Sequence, residues 1–233
     1  MRTEEAIVLA GGMGTRLRPV VSDVPKPLAP VAGRPFLAWL LDRLAAQGMR
    51  RVVLATGYLS EQVEAAIGSR WAGMEIAYSV EQTPLGTGGA VRQALAGLQG
   101  DAVHVLNGDT WLDYAPAALE AAALAAATPI AIALARVEDV GRYGAVQLQG
   151  CHAVGFHEKG AAGPGWINAG CYFLAADALQ ALPAQQAFSF EREVLQPRAA
   201  AHEVAALLET RGFIDIGVPE DYARSQALFA ARA

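Results

Sequence analysis

Short apolar runs alternate with helix-like segments along the first 137 residues, and few architectures accept that order. Glu5 to Ala10, Arg51 to Thr56, Met74 to Val80, Ala102 to Leu106 and Ile130 to Val137 have the length and character of strands. Pro35 to Gln47, Ser60 to Ile67, Gly88 to Leu98 and Pro116 to Ala127 read as the helices between them. In the first of these Phe36, Leu37, Leu40, Leu41 and Leu44 share one face, with Pro35 at the start and Gly48 past the end. A strand that is apolar on both faces is a buried parallel strand. Strand, helix and strand joined by short connections build a sheet with helices on both faces. The expected fold class is therefore α/β: Rossmann-like, with a mixed, mostly parallel sheet.

After Val137 the rhythm changes. Tyr143 to Leu148, Ala153 to Phe156 and Trp166 to Leu174 are strand-like without long helices between them. A short helix over Glu191 to Leu195, a strand over Glu203 to Leu208 and a closing helix over Pro219 to Ala231 complete the pattern. No repeat, linker or charge block interrupts the 233 residues, so one domain is expected, with halves 1–137 and 138–233.

Composition narrows the function. The net charge of −5 leaves no cationic excess to neutralise a nucleic-acid strand, although a single triphosphate needs only a few placed cations. Cys151 and Cys171 each sit in a strand-like run and are expected as buried thiols, not a disulfide. Leu119 to Val137 is mostly alanine and is broken by Thr128 and Pro129, which suits a helix then a buried strand better than a membrane span. The first apolar run is too short for a signal peptide. A soluble, cytoplasmic protein with no membrane partner is expected.

The turn after the first strand, Leu9-Ala10-Gly11-Gly12-Met13-Gly14-Thr15-Arg16, can grip phosphates. Glycines let backbone N–H groups close around an anion, and Arg16 adds a bidentate fork. Lys26, between Pro25 and Pro27, is a point charge on a stiffened backbone. A Walker loop would end in Gly-Lys-Ser/Thr, and a dinucleotide fingerprint would have a third glycine where Leu17 stands.

Asp109 follows Ala102 to Leu106 at the strand edge where open α/β sheets bind ligands, and a carboxylate there can hold Mg²⁺. Asp215, among Phe213, Ile214 and Ile216, is costly to bury unless it is paired or metal-bound. On residues alone, each aspartate could equally be a turn or cap carboxylate. Asp221 belongs in the first turn of the last helix, where acids favour the positive dipole end. The four histidines show no ligand spacing, so zinc is not implied.

Gly-Gly-x-Gly-Thr-Arg-Leu-x-Pro followed by Pro-Lys-Pro resembles the signature of the sugar-1-phosphate nucleotidyltransferases. The likeness continues through Pro84 to Ala90, Asn107 to Thr110, Glu158-Lys159, Asn168 to Gly170 and Asp215 to Tyr222. Val20 to Pro30 is most similar to the branch acting on D-glycero-α-D-manno-heptose 1-phosphate with GTP. The resemblance implies a nucleotide-diphospho-sugar transferase fold, with a nucleotide-binding first half and a sugar-binding second half. It implies Mg²⁺ on Asp109 and Asp215, and Arg16 and Lys26 on the phosphates. Leu9, Ala10, Gly11, Gly12, Gly14 and Thr15 would surround the nucleotide, with Glu81, Pro84, Gly86 and Thr87 near its base. Gly144, Glu158, Lys159 and Asn168 would take the sugar phosphate. Gly160 stands where many relatives have proline, so a looser loop is expected there.

A carboxylate can accept both adjacent donors of guanine, so Glu81 leans towards GTP, unless it is only a solvated acid at a strand end. The alternatives are a uridylyltransferase acting on a hexose or amino-sugar phosphate, or a silent nucleotide-binding subunit. The presence of Arg16, Lys26, Asp109 and Asp215 disfavours the last. The product would supply cell-surface polysaccharide. The chain stops soon after the closing helix, so no C-terminal β-helix is expected, and a homo-oligomer stays open.

Overall fold

The computed structural model describes residues 3–12, 14–17, 19–21, 24–157, 160 and 162–232. The strands are β1 (Glu5–Leu9), β2 (Pro30–Val31), β3 (Arg34–Pro35), β4 (Arg51–Thr56), β5 (Arg70–Trp71), β6 (Met74–Val80) and β7 (Val103–Asn107). They continue with β8 (Thr110–Asp113), β9 (Ile130–Val137), β10 (Val146–Gln149), β11 (His152–Phe156), β12 (Gly165–Leu174), β13 (Val204–Leu207) and β14 (Arg211–Asp215). The helices are α1 (Phe36–Ala46), α2 (Ser60–Ile67), α3 (Gly86–Ala94), α4 (Pro116–Ala126), α5 (Ala176–Gln180), α6 (Gln196–Ala200) and α7 (Pro219–Ala230).

Ten strands form one sheet in the order β10-β11-β13-β9-β12-β7-β1-β4-β6-β5. From the pairings, β1, β4, β6, β7, β9, β10 and β13 run one way, while β5, β11 and β12 run the other. The sheet is mixed and mostly parallel. Its central strands are buried on both faces, as their unbroken apolar runs require. Ala6, Val8, Val52 and Leu54 face the layer holding α1, α2, α4 and α7. Ile7, Val53 and Ala55 face the layer holding α3, α5 and α6.

Two short strands that carry no local sequence signal set the position of Asp215. β8 and β14 form a separate antiparallel ribbon, with Asp215 opposite Thr110 and Ile214 opposite Trp111. Trp111 packs edge-on against Phe229 of α7 at 5.0 Å, and Phe229 also meets Phe36 and Trp39 of α1. The ribbon is thus pinned to the body of the domain by aromatic packing.

Several boundaries differ from expectation. Tyr143 and Gly144 lie in a turn, both donating to the Val140 carbonyl, so that strand begins at Val146. The third helix starts two residues early, at Gly86, and tightens into a 3₁₀ turn over Leu95–Gly97. Glu191–Leu195 is a π turn leading into α6. Cys171 is buried as expected, with its thiol pushed up to about 11 by burial, but Cys151 is exposed in the β10–β11 turn. Leu119 to Val137 divides into α4 and β9, and no helix among the described residues is long and apolar enough to cross a membrane.

Candidate active site

The first loop leaves the carboxyl end of β1, where two backbone bonds fix its direction. The Ala10 N–H donates to Ala55 O at 2.7 Å, and Gly108 N–H donates to Leu9 O at 2.8 Å. Beyond them opens a cavity of about 590 Å³. Leu9, Gly11, Gly12, Glu81, Pro84, Gly86, Thr87 and Asp109 all line it. Ala10 is buried below, Gly14 packs on Lys26, and Thr15 and Arg16 are exposed. Asn107, the first residue of the Asn107 to Thr110 likeness, and Tyr58, which carried no sequence signal, line the cavity too. Met13, within the expected grip, lies outside the described residues.

Three charges converge around Asp109, which lines the cavity. Lys26 opens a 3₁₀ turn over Lys26–Leu28, with Pro25 and Pro27 buried on either side, so the backbone aims its side chain inward. Its ammonium contacts Asp109 Oδ2 and lies 3.8 Å from Asp215 Oδ1. The two carboxylates, 106 residues apart in sequence, meet because of the β8–β14 ribbon, where the Ile216 N–H donates to Asp109 O at 3.0 Å. Gly217 permits the approach: a Cβ there would stand 2.7 Å from both Asp215 Oδ1 and Lys26 Nζ. Burial first, and then the neighbouring charge of Asp109, push the Asp215 carboxyl upward, against Lys26, the Gly217 N–H and Arg16. Arg16, exposed, contributes the least of these influences.

That donor set suits a small divalent cation. Two carboxylates meet at a ligand-facing sheet edge, and one of them is destabilised as an anion by burial and its neighbour. Mg²⁺ is held by one or two carboxylates together with substrate phosphates and water, not by an all-protein cage. No group of three or more His, Cys, Asp or Glu side chains suited to a metal occurs among the described residues.

The second glycine loop packs closely on the protein's own chain. Gly86, Gly88 and Gly89 face the chain at 186–188. A Cβ on Gly88 would fall 2.1 Å from the Phe188 ring, and one on Gly89 would fall 2.4 Å from Gln186 O. The Gly88 N–H donates to Phe188 O at 3.0 Å, and the Phe188 N–H donates to Leu85 O at 2.9 Å. The close approach at Gly88 and Gly89 is to the Phe188 ring and the Gln186 carbonyl of the protein itself, while Pro84, Gly86 and Thr87 line the cavity. Glu81 turns one oxygen inward to accept the Leu85 N–H at 2.9 Å while still lining the cavity.

A second cavity, of about 380 Å³, lies beyond the 140–144 turn. Gly144 and Asn168 line it, joined by Tyr143, Glu191 and Gln196, which the sequence did not point to. Asn168 sits at an irregularity of β12. It donates to Tyr172 Oη at 2.8 Å and accepts the Gly170 N–H at 2.9 Å. Asp221 is in the first turn of α7 as expected, but its role is larger. Nearly buried, it pairs with Arg142 and, at 3.3 Å, with Arg224, which anchors the cavity-forming turn to α7. Glu158 and Lys159 lie outside the described residues. The Gly160 N–H donates to Gly141 O at 3.0 Å, at a φ of +115°. Proline could supply neither.

Comparison with known proteins gives these two cavities their context. Residues 5–231 match the nucleotidyl transferase family. The chain is 39% identical to a D-glycero-α-D-manno-heptose 1-phosphate guanylyltransferase of Campylobacter jejuni over 219 residues, 94% of this chain and 96% of that one. It is 36% identical to the enzyme of that name from Aneurinibacillus thermoaerophilus, over 95% of this chain and 96% of the other. The crystal structure of HddC from Yersinia pseudotuberculosis complexed with GMP-PN superimposes with a TM-score of 0.86 at 32% identity, covering 97% of this chain and 100% of that one.

Proposed function

The chain belongs to the nucleotidyl transferase family, and from that membership we propose that it joins GTP to D-glycero-α-D-manno-heptose 1-phosphate. The products are the GDP-sugar and pyrophosphate. The observation that carries the reading is the convergence of Lys26 and Asp215 with Asp109, which lines the larger cavity. Near full-length similarity to two heptose 1-phosphate guanylyltransferases supports the choice of substrates.

An oxygen of the sugar phosphate attacks the α-phosphorus of the nucleotide. The new P–O bond forms as the bond to the β-phosphate oxygen breaks, and that electron pair leaves with pyrophosphate. The nucleophile is already ionised near neutral pH, so no side chain has to remove a proton. The protein's work is positioning and charge stabilisation. The Gly11–Gly12 backbone approaches the phosphates, Arg16 caps them from the exposed side, and Lys26 meets the charge that develops on the departing oxygen. Asp109 and Asp215 would hold Mg²⁺, which supplies Lewis-acid neutralisation of the phosphate oxygens. Glu81 presents a carboxylate to the base, which favours guanine, and Gly144 and Asn168 border the sugar.

The test is pyrophosphate release from the four NTPs and dTTP against a panel of sugar 1-phosphates, with and without Mg²⁺. GTP with the heptose 1-phosphate is expected to give the highest kcat/KM, and turnover is expected to require the metal. Preference for UTP or dTTP would replace the base assignment and favour the uridylyltransferase alternative.

A further inference from the structure

We propose that Glu191 is a specificity-determining residue, whose carboxylate accepts hydroxyl groups of the sugar while Thr87 and Ser189 hold it in place. The inference rests on the smaller cavity being the sugar site. Glu191 lines that cavity with Gln196, and the π turn explains the pairing: the Gln196 N–H donates to the Glu191 carbonyl five residues back, bringing the two side chains one turn apart.

The carboxylate is divided between two tasks. Oε2 accepts the Thr87 hydroxyl at 2.7 Å and the Ser189 hydroxyl at 3.0 Å. Thr87 is itself fixed, because its oxygen accepts the Phe190 N–H at 2.9 Å. Among the described residues, no hydrogen bond engages Oε1. An anchored carboxylate with one open oxygen is a strong, directional acceptor for a hydroxyl. It also sits close enough to Tyr172, the hydrogen-bond partner of Asn168, for its charge to add to burial in raising that phenol. Thr87 lines the larger cavity and Glu191 the smaller, so one hydrogen bond forms part of the wall between them. Sugar selection is thereby built onto the loop that borders the nucleotide.

The experiment is two-substrate steady-state kinetics on the wild type, Glu191→Gln, Thr87→Val and Thr87→Ser, with the preferred sugar 1-phosphate and its monodeoxy analogues. Glu191→Gln is expected to raise the KM for the sugar phosphate about tenfold by weakening a charge-assisted bond, with a smaller change in the NTP KM. For at least one hydroxyl position, the penalty for its removal should shrink in Glu191→Gln, which a purely structural role would not produce. Thr87→Val should raise the sugar KM more than the NTP KM, and Thr87→Ser should restore it. Unchanged deoxy penalties in Glu191→Gln, or a Thr87→Val defect confined to the NTP, would overturn the assignment. A wild type that turns over no sugar 1-phosphate would instead remove the proposed function, and this inference with it.

Discussion

Two glycine-bearing loops border the same cavity, each after a parallel strand, yet their glycines do opposite work. In the loop after β1, nothing approaches within 4 Å of where a Gly12 Cβ would stand, and Gly14 makes room for Lys26. In the loop after β6, the equivalent space at Gly88 and Gly89 is filled by Phe188 and Gln186. At Gly12 the backbone borders open space, whereas at Gly88 and Gly89 it is bare for the protein's own chain. Glycine after a strand signals close approach, but what approaches is decided by chain far away in sequence.

The largest effect is expected at Asp109, a charge that the first loop does not itself carry. Asp109→Asn should lower kcat by about 10³-fold while leaving the melting temperature near that of the wild type. Near-normal pyrophosphate release from this variant would remove Asp109 from the chemistry. Gly88→Ala should come next, read in stability. Forcing a methyl into the Phe188 ring is expected to cost about 1–3 kcal/mol in denaturant unfolding. Gly12→Ala is the counterpart: unchanged stability, with nucleotide affinity down by about tenfold, or ~1.4 kcal/mol. Equal losses of stability in both alanine variants would erase the distinction between the loops.

The smallest effect concerns Asp215, whose carboxyl is raised by burial and by Asp109. A carboxyl with a raised folded-state value favours folding most when protonated. That contribution is complete below the unfolded-state value and is lost as pH rises through the folded-state value. Ligand-free Asp215→Asn should therefore gain in melting temperature relative to wild type as the pH is raised above about 4, the ordinary carboxylate value, although it loses turnover. A gap that stays constant over that rise would show that Asp215 carries no such penalty.

The central strands were legible because burial on both faces leaves an unbroken apolar run, as in Ala6-Ile7-Val8 and Val52 to Ala55. The glycines after β1 and the proline-flanked lysine were legible as features of one site because they have few joint uses. Gly11 and Gly12 line the cavity that Asp109, in contact with Lys26, also lines. The β8–β14 ribbon was not, since Thr110–Asp113 follows β7 too closely to stand out and its partner lies 100 residues on. Family resemblance brought Asp109 and Asp215 together; the ribbon is the physical cause. Glu191 read as part of a short helix, and only its bond to Thr87 across 104 residues marks it. Asp221 looked like a dipole acid until Arg142 was seen to cover it.

β12 has a consequence for how the protein is made. It lies between β7 and β9, both of which precede residue 138, yet it is itself formed by residues 165–174. On the ribosome, β7 and β9 therefore emerge before the strand that joins them, each with an unpaired edge. The first half of the chain can collapse early but cannot complete its sheet until β12 arrives, so a nascent chain paused before Gly165 is the species most exposed to misassociation.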